Sequence, residues 1–523
     1  MADWLLIPMC PTPNGRLHIG HGAGPYLRAD VIARALRRTG DTATVITGTD
    51  AYENWVLAAV TGDSTPEQIC RHYHAGIKHD LDALGIEFDH WIDPLADEHR
   101  NRYRQLHEQL LDTLRRQGAA HLEPESIPVG ADSGRAMLGV WIAGRCPTCG
   151  APAGGNTCTA CGDHFHPDQL QQPRSRLTNE AIRWQRCDSW FARPADPHSI
   201  LEALTNTGLA DRFLTAPRNF LHRADTRIRL SQPGDWGITS TDLPTGHVLA
   251  NTYYGYALYA GLLHTSGHAN SLDLESPVTV VGLFGSDNSI AGLVAPHVLA
   301  EPAGYKPFDH TVVNHMLHFD GAKCSTSKQH GIWISDLIDN TSVTADELRY
   351  SLAHEPLDLR IGDITPAALL MRINELRQWM TRILAPALRS LEEKTQVTVD
   401  HVRIGQALDE QQCRLTPPHV DLAAATNFAK TWMLGTNPHE ANEVATWLAG
   451  IALLTGPILP TLAAHIWEAL GYRDRPMQLG ATITTSASDK PAMRPIHCRT
   501  KDLTLAEIAP LVRLEGVAAS DVL

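Results

Sequence analysis

The sequence predicts an α/β fold, a Rossmann-type nucleotide-binding domain with a small metal knuckle and a C-terminal α-helical bundle. Three observations predict it. An apolar run, Trp4-Leu5-Leu6-Ile7, breaks through Pro8, Pro11, Pro13 and Gly15 into His18-Ile19-Gly20-His21 and then a helical pattern. Two Cys-x-x-Cys pairs, Cys146 with Cys149 and Cys158 with Cys161, stand close together in the first third of the chain. From about residue 361 the chain reads as helices, among them Leu369 to Leu376 and Ala423 to Leu434.

The first strand ends in a turn whose residues, Pro13-Asn14-Gly15, suit a sharp change of direction. Tyr26, Leu27, Val31, Ile32 and Leu36 follow at helical spacing until Gly40 stops the pattern. A second strand, Ala43-Thr44-Val45-Ile46, then runs into Gly48-Thr49-Asp50. Strand, turn, helix and strand, with an acid at the second strand's carboxyl end, is the order of a nucleotide-binding βαβ unit. A helix start leaves backbone N–H groups unpaired, and two imidazoles placed there can reach phosphate oxygens. Taken alone, His18 and His21 would equally describe a solvated turn.

At 523 residues the chain is too long for one core, so several folded units are expected. The net charge of −14 argues against a general polyanion binder and against DNA as a partner, though it leaves room for a local basic face. No charged segment precedes a short apolar core at the start, so a cytoplasmic location is expected. The uncharged stretch Trp447 to Trp467 contains Gly450, Gly456, Pro457 and Pro460, which predicts a buried helix pair broken at the prolines and no membrane span. Ten cysteines in a chain of this length do not suggest a disulfide framework. The four clustered ones, Cys146, Cys149, Cys158 and Cys161, have the spacing of a tetrahedral zinc site. The other readings are free or redox cysteines, or His164 and His166 as substitute ligands. Four thiolates leave no open position for water, so the zinc would be structural.

The segments Pro11 to His21, Leu36 to Gly40, Thr47-Gly48-Thr49-Asp50, Leu84 to Asp89, Trp236-Gly237-Ile238, Gly285-Ser286-Asp287 and Gly321 to Lys328 fall in one familiar order. In that order the chain resembles the class I aminoacyl-tRNA synthetases, and within them the methionyl branch, over residues 4 to 360 and loosely beyond. The resemblance implies five units. Residues 1–117 and 196–360 are the halves of the catalytic domain and 118–195 the inserted connective domain with its zinc knuckle. Residues 361–480 are an anticodon-binding-like bundle, and 481–523 are a C-terminal extension. It also implies ATP with Mg2+ and an amino acid as substrates, and a tRNA or a small molecule as acceptor.

The resemblance assigns roles by position. His18 and His21, with Lys323 and Lys328, would stabilise the phosphates while the amino-acid carboxylate attacks the α-phosphate. Asn14, Gly20, Asp287, Ser325 and Ser327 would hold ATP, Asp287 near its ribose. Asp50 would pair with the α-ammonium group, in a pocket completed by Cys10, Thr12, Leu249, Thr252, Tyr256, Asn288 and Gly292.

Departures from the family pattern are concentrated in two places. The second signature motif, Lys-Met-Ser-Lys-Ser, here reads Lys323-Cys324-Ser325-Thr326-Ser327, so Thr326 replaces the lysine that stabilises the transferred phosphoryl group. Lys328, in a loop two residues longer before Ile332-Trp333-Ile334, is expected to substitute. In the pocket, Thr12 stands for a tyrosine, Leu249 for a tryptophan, Asn288 for an isoleucine and Gly292 for a histidine. Four such changes point to a side chain other than methionine's, one with polar groups for Thr12 and Asn288 to meet. Asp409 to Gln412 and Ser486 to Lys490 read as connecting loops, and only Trp432 offers a match to residues that read an anticodon.

These readings predict a ligase that activates an amino acid other than methionine with ATP to an aminoacyl-adenylate and passes the acyl group to a small amine or hydroxylamine in a biosynthetic pathway. The alternatives are a methionine–tRNA ligase and a catalytically inactive nucleotide-binding paralogue.

Overall fold

The structure, a computed structural model, describes residues 1–392, 398–435, 440–472 and 501–515. The predicted loop at Ser486 to Lys490 lies outside the described residues.

A five-stranded parallel sheet forms the centre. Its first strand, β1 (Asp3–Pro8), buries Leu5, Leu6 and Ile7 completely, as a strand covered by helices on both faces must. His18 is extended and caps a single helical turn, Ile19–His21, which continues through a wide turn at Gly22–Tyr26 into α1 (Leu27–Arg38). The wide turn arises where Pro25 offers no N–H and Gly24 leaves the helical backbone with ψ −128°. Next come β2 (Thr42–Gly48), α2 (Pro66–Ala83), β3 (His90–Ile92) and α3 (Asp97–Arg116). A long antiparallel ribbon, β4 (Ala120–Gly130) with β5 (Ile182–Ala192), carries the insertion outward from the sheet. The chain then returns through α4 (Tyr253–His264), β6 (Thr279–Gly285), α5 (Ala295–Ala303) and β7 (His310–Asn314).

The strand order is β7-β6-β1-β2-β3, all parallel. Successive crossovers run one way from β1 to β3 and the other way from β6 to β7. Beside β1 and β6 the order reverses, and in a doubly wound sheet the crevice at their carboxyl ends is where ligands bind.

Beyond the sheet lie helices Pro366–Trp379, Ala385–Glu392, His401–Gln412, Leu422–Met433, Ala441–Thr455 and Pro460–Ala469. The apolar pair breaks between Thr455 and Pro460, where the prolines predicted it. Among the described residues no helix is long and apolar enough to cross a membrane. Asp409 to Gln412, read above as a loop, are instead the last turn of His401–Gln412. The reason is that Gln411 is fully buried: its amide donates to Ala425 O (3.2 Å) and Leu454 O (2.9 Å) and accepts from Arg38 (2.7 Å). A polar run at a junction between two units is indistinguishable in sequence from a solvated one. Trp432 exchanges indole-to-carbonyl hydrogen bonds with Trp447 at 3.0 and 2.9 Å.

Buried ion pairs fasten the segment before the helical region to α1, and Arg349 of that segment also donates to Pro457 O and Ile458 O of the helical region. Asp30 of α1 meets Arg349 at 2.6 Å and Arg28 meets Asp358 at 2.7 Å, with all four side chains essentially inaccessible. Residues 501–515 cross back over the bundle: Asn374 holds Leu503 through both backbone groups (2.9 and 2.8 Å), and Arg513 pairs with Gly331 as a short β-bridge.

Candidate active site

The crevice at the ends of β1 and β6 is a cleft of about 1120 Å3. Its walls include Cys10, Thr12, Asn14, His18, Gly20, His21, Asp50, Leu249, Thr252, Asp287, Asn288, Lys323, Ser325 and Ser327. Sequence reasoning placed each of these in a site, and the fold brings them together. Three others lie elsewhere. Tyr256 is buried behind the wall among Tyr103 and Tyr253. Gly292 lies under the Phe284 ring, which a Cβ there would strike. Lys328 is 60% exposed and pairs with Glu515 at 3.1 Å, outside the cleft.

His18 and His21 stack with ring centroids 3.9 Å apart. Burial, aided by Lys323, holds the His21 imidazole down at about 4. Burial, then the neighbouring His21 and Lys323, also lowers His18 well below the ordinary histidine value. Both rings are therefore neutral at pH 7 and offer N–H donors to an anion without adding charge. His18 sits at the start of the helix because the strand-like pair His18 with Trp333 fixes its backbone, with Ile19 N–H donating to Ile332 O at 2.9 Å. The two signature segments touch directly: a Cβ on Gly15 would collide with the Thr326 methyl. Asn14 donates to Trp55 O at 3.1 Å, holding the turn open.

At the other side, Lys323 reaches Asp287 at 3.3 Å and the Asn288 amide donates to Asp287 at 3.2 Å. Asp50 follows β2 and is pushed up to about 8, first by burial and then by the carboxylate of Glu53. Glu53, also raised by burial, was not foreseen as a site residue. Its only sequence signal is its position three residues after Asp50. Among the described residues neither carboxylate forms an ion pair with a lysine or arginine, so nothing offsets the effect of burial on them. Arg16 and Arg513 also line the cleft and were not foreseen.

The insertion closes one wall through Gly139, Asn156, Thr157 and His164. At its tip a small sheet, strands Ile142–Arg145, Pro152–Gly154 and Gln171–Ser175, frames the four cysteines. Their sulfurs lie within 4.8 Å of one another, with Cys146 to Cys161 at 3.8 Å and Cys149 to Cys158 at 3.6 Å. A tetrahedron with Zn–S near 2.3 Å has edges of about 3.8 Å, so the donor set fits zinc. Each pair is followed by a left-handed glycine, Gly150 (φ 71°) and Gly162 (φ 73°), that turns the chain back under the sulfurs. His164 and His166 fall outside this cluster. A Cβ on Gly162 would stand 2.6 Å from Ser286 O, so the knuckle packs directly against the residue before Asp287.

Comparison with known proteins places this arrangement. The family profile described as tRNA synthetases class I (M) matches residues 7–378. The chain is 25% identical over 380 residues to a methionine–tRNA ligase of Cytophaga hutchinsonii, covering 68% of this chain and 54% of that protein. It is 24% identical over 535 residues to that of Salinibacter ruber, covering 90% and 73%. So it spans about half the length of the first of these relatives. Its fold is that of the Mycobacterium tuberculosis methionyl-tRNA synthetase solved with methionyl-adenylate, at TM-score 0.67 and 17% identity, covering 94% of this chain and 98% of that one. The chain belongs to the class I tRNA synthetases of the M group, a family of ATP-dependent, aminoacyl-adenylate-forming ligases, and is methionyl-like within it.

Proposed function

We propose that this chain activates an amino acid other than methionine with ATP and passes the acyl group to a small amine or hydroxylamine in the cytoplasm. In the first step an amino-acid carboxylate oxygen bonds to the α-phosphorus, and the bond from that phosphorus to the bridging oxygen breaks as pyrophosphate leaves. His18 and His21 donate hydrogen bonds to phosphate oxygens, Asp287 takes the ribose, and Asp50 takes the α-ammonium group. Mg2+, when bound with ATP, neutralises phosphate charge. The observation that carries the substrate reading is the polar character of the wall beyond the ammonium site: Thr12, Thr252 and Asn288 share the cleft with Leu249. A thioether gains nothing from such a wall, whereas a substrate with hydrogen-bonding groups does.

A second reading, charging of a tRNA, is favoured by the helical bundle and by the relatives' names. Preformed enzyme-bound adenylate separates the two. Offered bulk tRNA and a panel of primary amines and N-substituted hydroxylamines, it should acylate a small acceptor at least about tenfold faster than the uncatalysed rate and leave tRNA uncharged. Efficient acylation of tRNA with no small acceptor used would overturn the proposal in favour of the second reading.

A further inference from the structure

Thr326 leaves the cleft without the cation that the second signature segment ordinarily brings to the departing pyrophosphate. Among the described residues, the lysines and arginines lining the cleft are Arg16, Lys323 and Arg513. Arg16 is committed elsewhere: its guanidinium grips both oxygens of Asp80 at 2.9 and 2.7 Å and also Ser335 at 2.6 Å. Lys323 is engaged with Asp287. Lys328 faces away, on Glu515.

Arg513 is placed differently. Its backbone pairs with Gly331 in both directions, N–H to O at 2.8 and 3.0 Å, so a β-bridge joins the C-terminal segment to the signature loop. Glu515 N–H, donating to His330 at 3.1 Å, prolongs the seam. The guanidinium lies over the Trp333 indole at 4.3 Å, and the same indole meets the His18 ring edge-on at 6.3 Å. Its polar contacts are Gln329 (2.6 Å) and Asp336 (3.2 Å), both lining the cleft. The Asp336 pair is half-exposed, so solvent screens it and it holds the guanidinium weakly. A guanidinium binds phosphate by paired hydrogen bonds that a half-exposed carboxylate does not outcompete.

We propose that Arg513, delivered by the C-terminal segment, is the catalytic cation that binds the β- and γ-phosphates of ATP in place of the lysine missing at Thr326. It transfers no proton. As the α-phosphorus bonds to the carboxylate oxygen, the electron pair of the breaking bond passes to pyrophosphate, and Arg513 stabilises that charge. This rests on the adenylate-forming reading above.

The test uses the full chain and two measurements. In amino-acid-dependent pyrophosphate exchange, Arg513→Ala should lower kcat by about 10²-fold or more with the amino-acid KM unchanged. Arg513→Lys should recover part of the loss, added guanidinium should restore Arg513→Ala, and Lys328→Ala should stay within about threefold of the parent. In calorimetric titration with inorganic pyrophosphate, Arg513→Ala should weaken binding at least about tenfold. If Arg513→Ala exchanges and binds pyrophosphate like the parent, or if Lys328→Ala carries the loss, the proposal is wrong. A parent that exchanges with no amino acid refutes the adenylate reading, while the titration still decides whether Arg513 holds pyrophosphate.

Discussion

Asp50 shows how a single carboxylate's surroundings set what the cleft reads. Burial first, and Glu53 second, raise it to about 8, so in the empty cleft it is largely protonated at pH 6 and ionised above pH 8. An ammonium ligand binds the ionised form. The KM for the amino acid should therefore fall as pH rises from 6 to about 8.5, before the ligand's own amine deprotonates. Glu53→Gln removes the neighbouring charge and should shift that fall to lower pH. A KM flat from pH 5.5 to 8.5 would contradict the assignment. Asp50 was legible in the sequence because it ends a strand after Thr47-Gly48-Thr49. Glu53 was not, since an acid in a turn reads as solvated until its neighbours are known.

Among the elements, the knuckle was the most legible, because its ligands are local: two short pairs and the glycines after them specify the geometry without long-range information. The helix His401–Gln412 was not, because the partners of Gln411 come from Arg38, Ala425 and Leu454, far off in the chain. The knuckle's contact with Ser286 makes it part of the cleft wall, so its integrity bears on ATP as well as on stability. Removing zinc with a chelator, or Cys149→Ser, should lower the thermal midpoint by several degrees and raise the KM for ATP several-fold, since metal binding energy is folding energy. Metal analysis alongside a melting curve and exchange kinetics checks this. A zinc-free protein with unchanged midpoint and KM would show that the knuckle holds itself together without metal.

Across the whole molecule, the Rossmann-type class of the sheet followed from the strand and turn signals around Trp4 to Ile7 and Ala43 to Ile46 and from the resemblance, whereas the order of its five strands did not. Neither did the contacts that tie distant stretches together, such as Asp30 with Arg349 and Gly331 with Arg513. No periodicity marks such partners, yet the bridge of Gly331 with Arg513 holds the C-terminal segment on the signature loop and sets Arg513 in the cleft wall. The pocket substitutions at Thr12, Leu249 and Asn288 could be read from sequence and do line the cleft, whereas Gly292 answers to the Phe284 ring. The central claim is that this cleft forms an aminoacyl-adenylate from an amino acid other than methionine. Pyrophosphate exchange by the full chain, run against a panel of amino acids, tests it most directly. The account predicts strong exchange with a polar amino acid, weak exchange with methionine, and loss of about 10²-fold or more in His21→Ala. Exchange strongest with methionine would contradict the account, as would exchange with none.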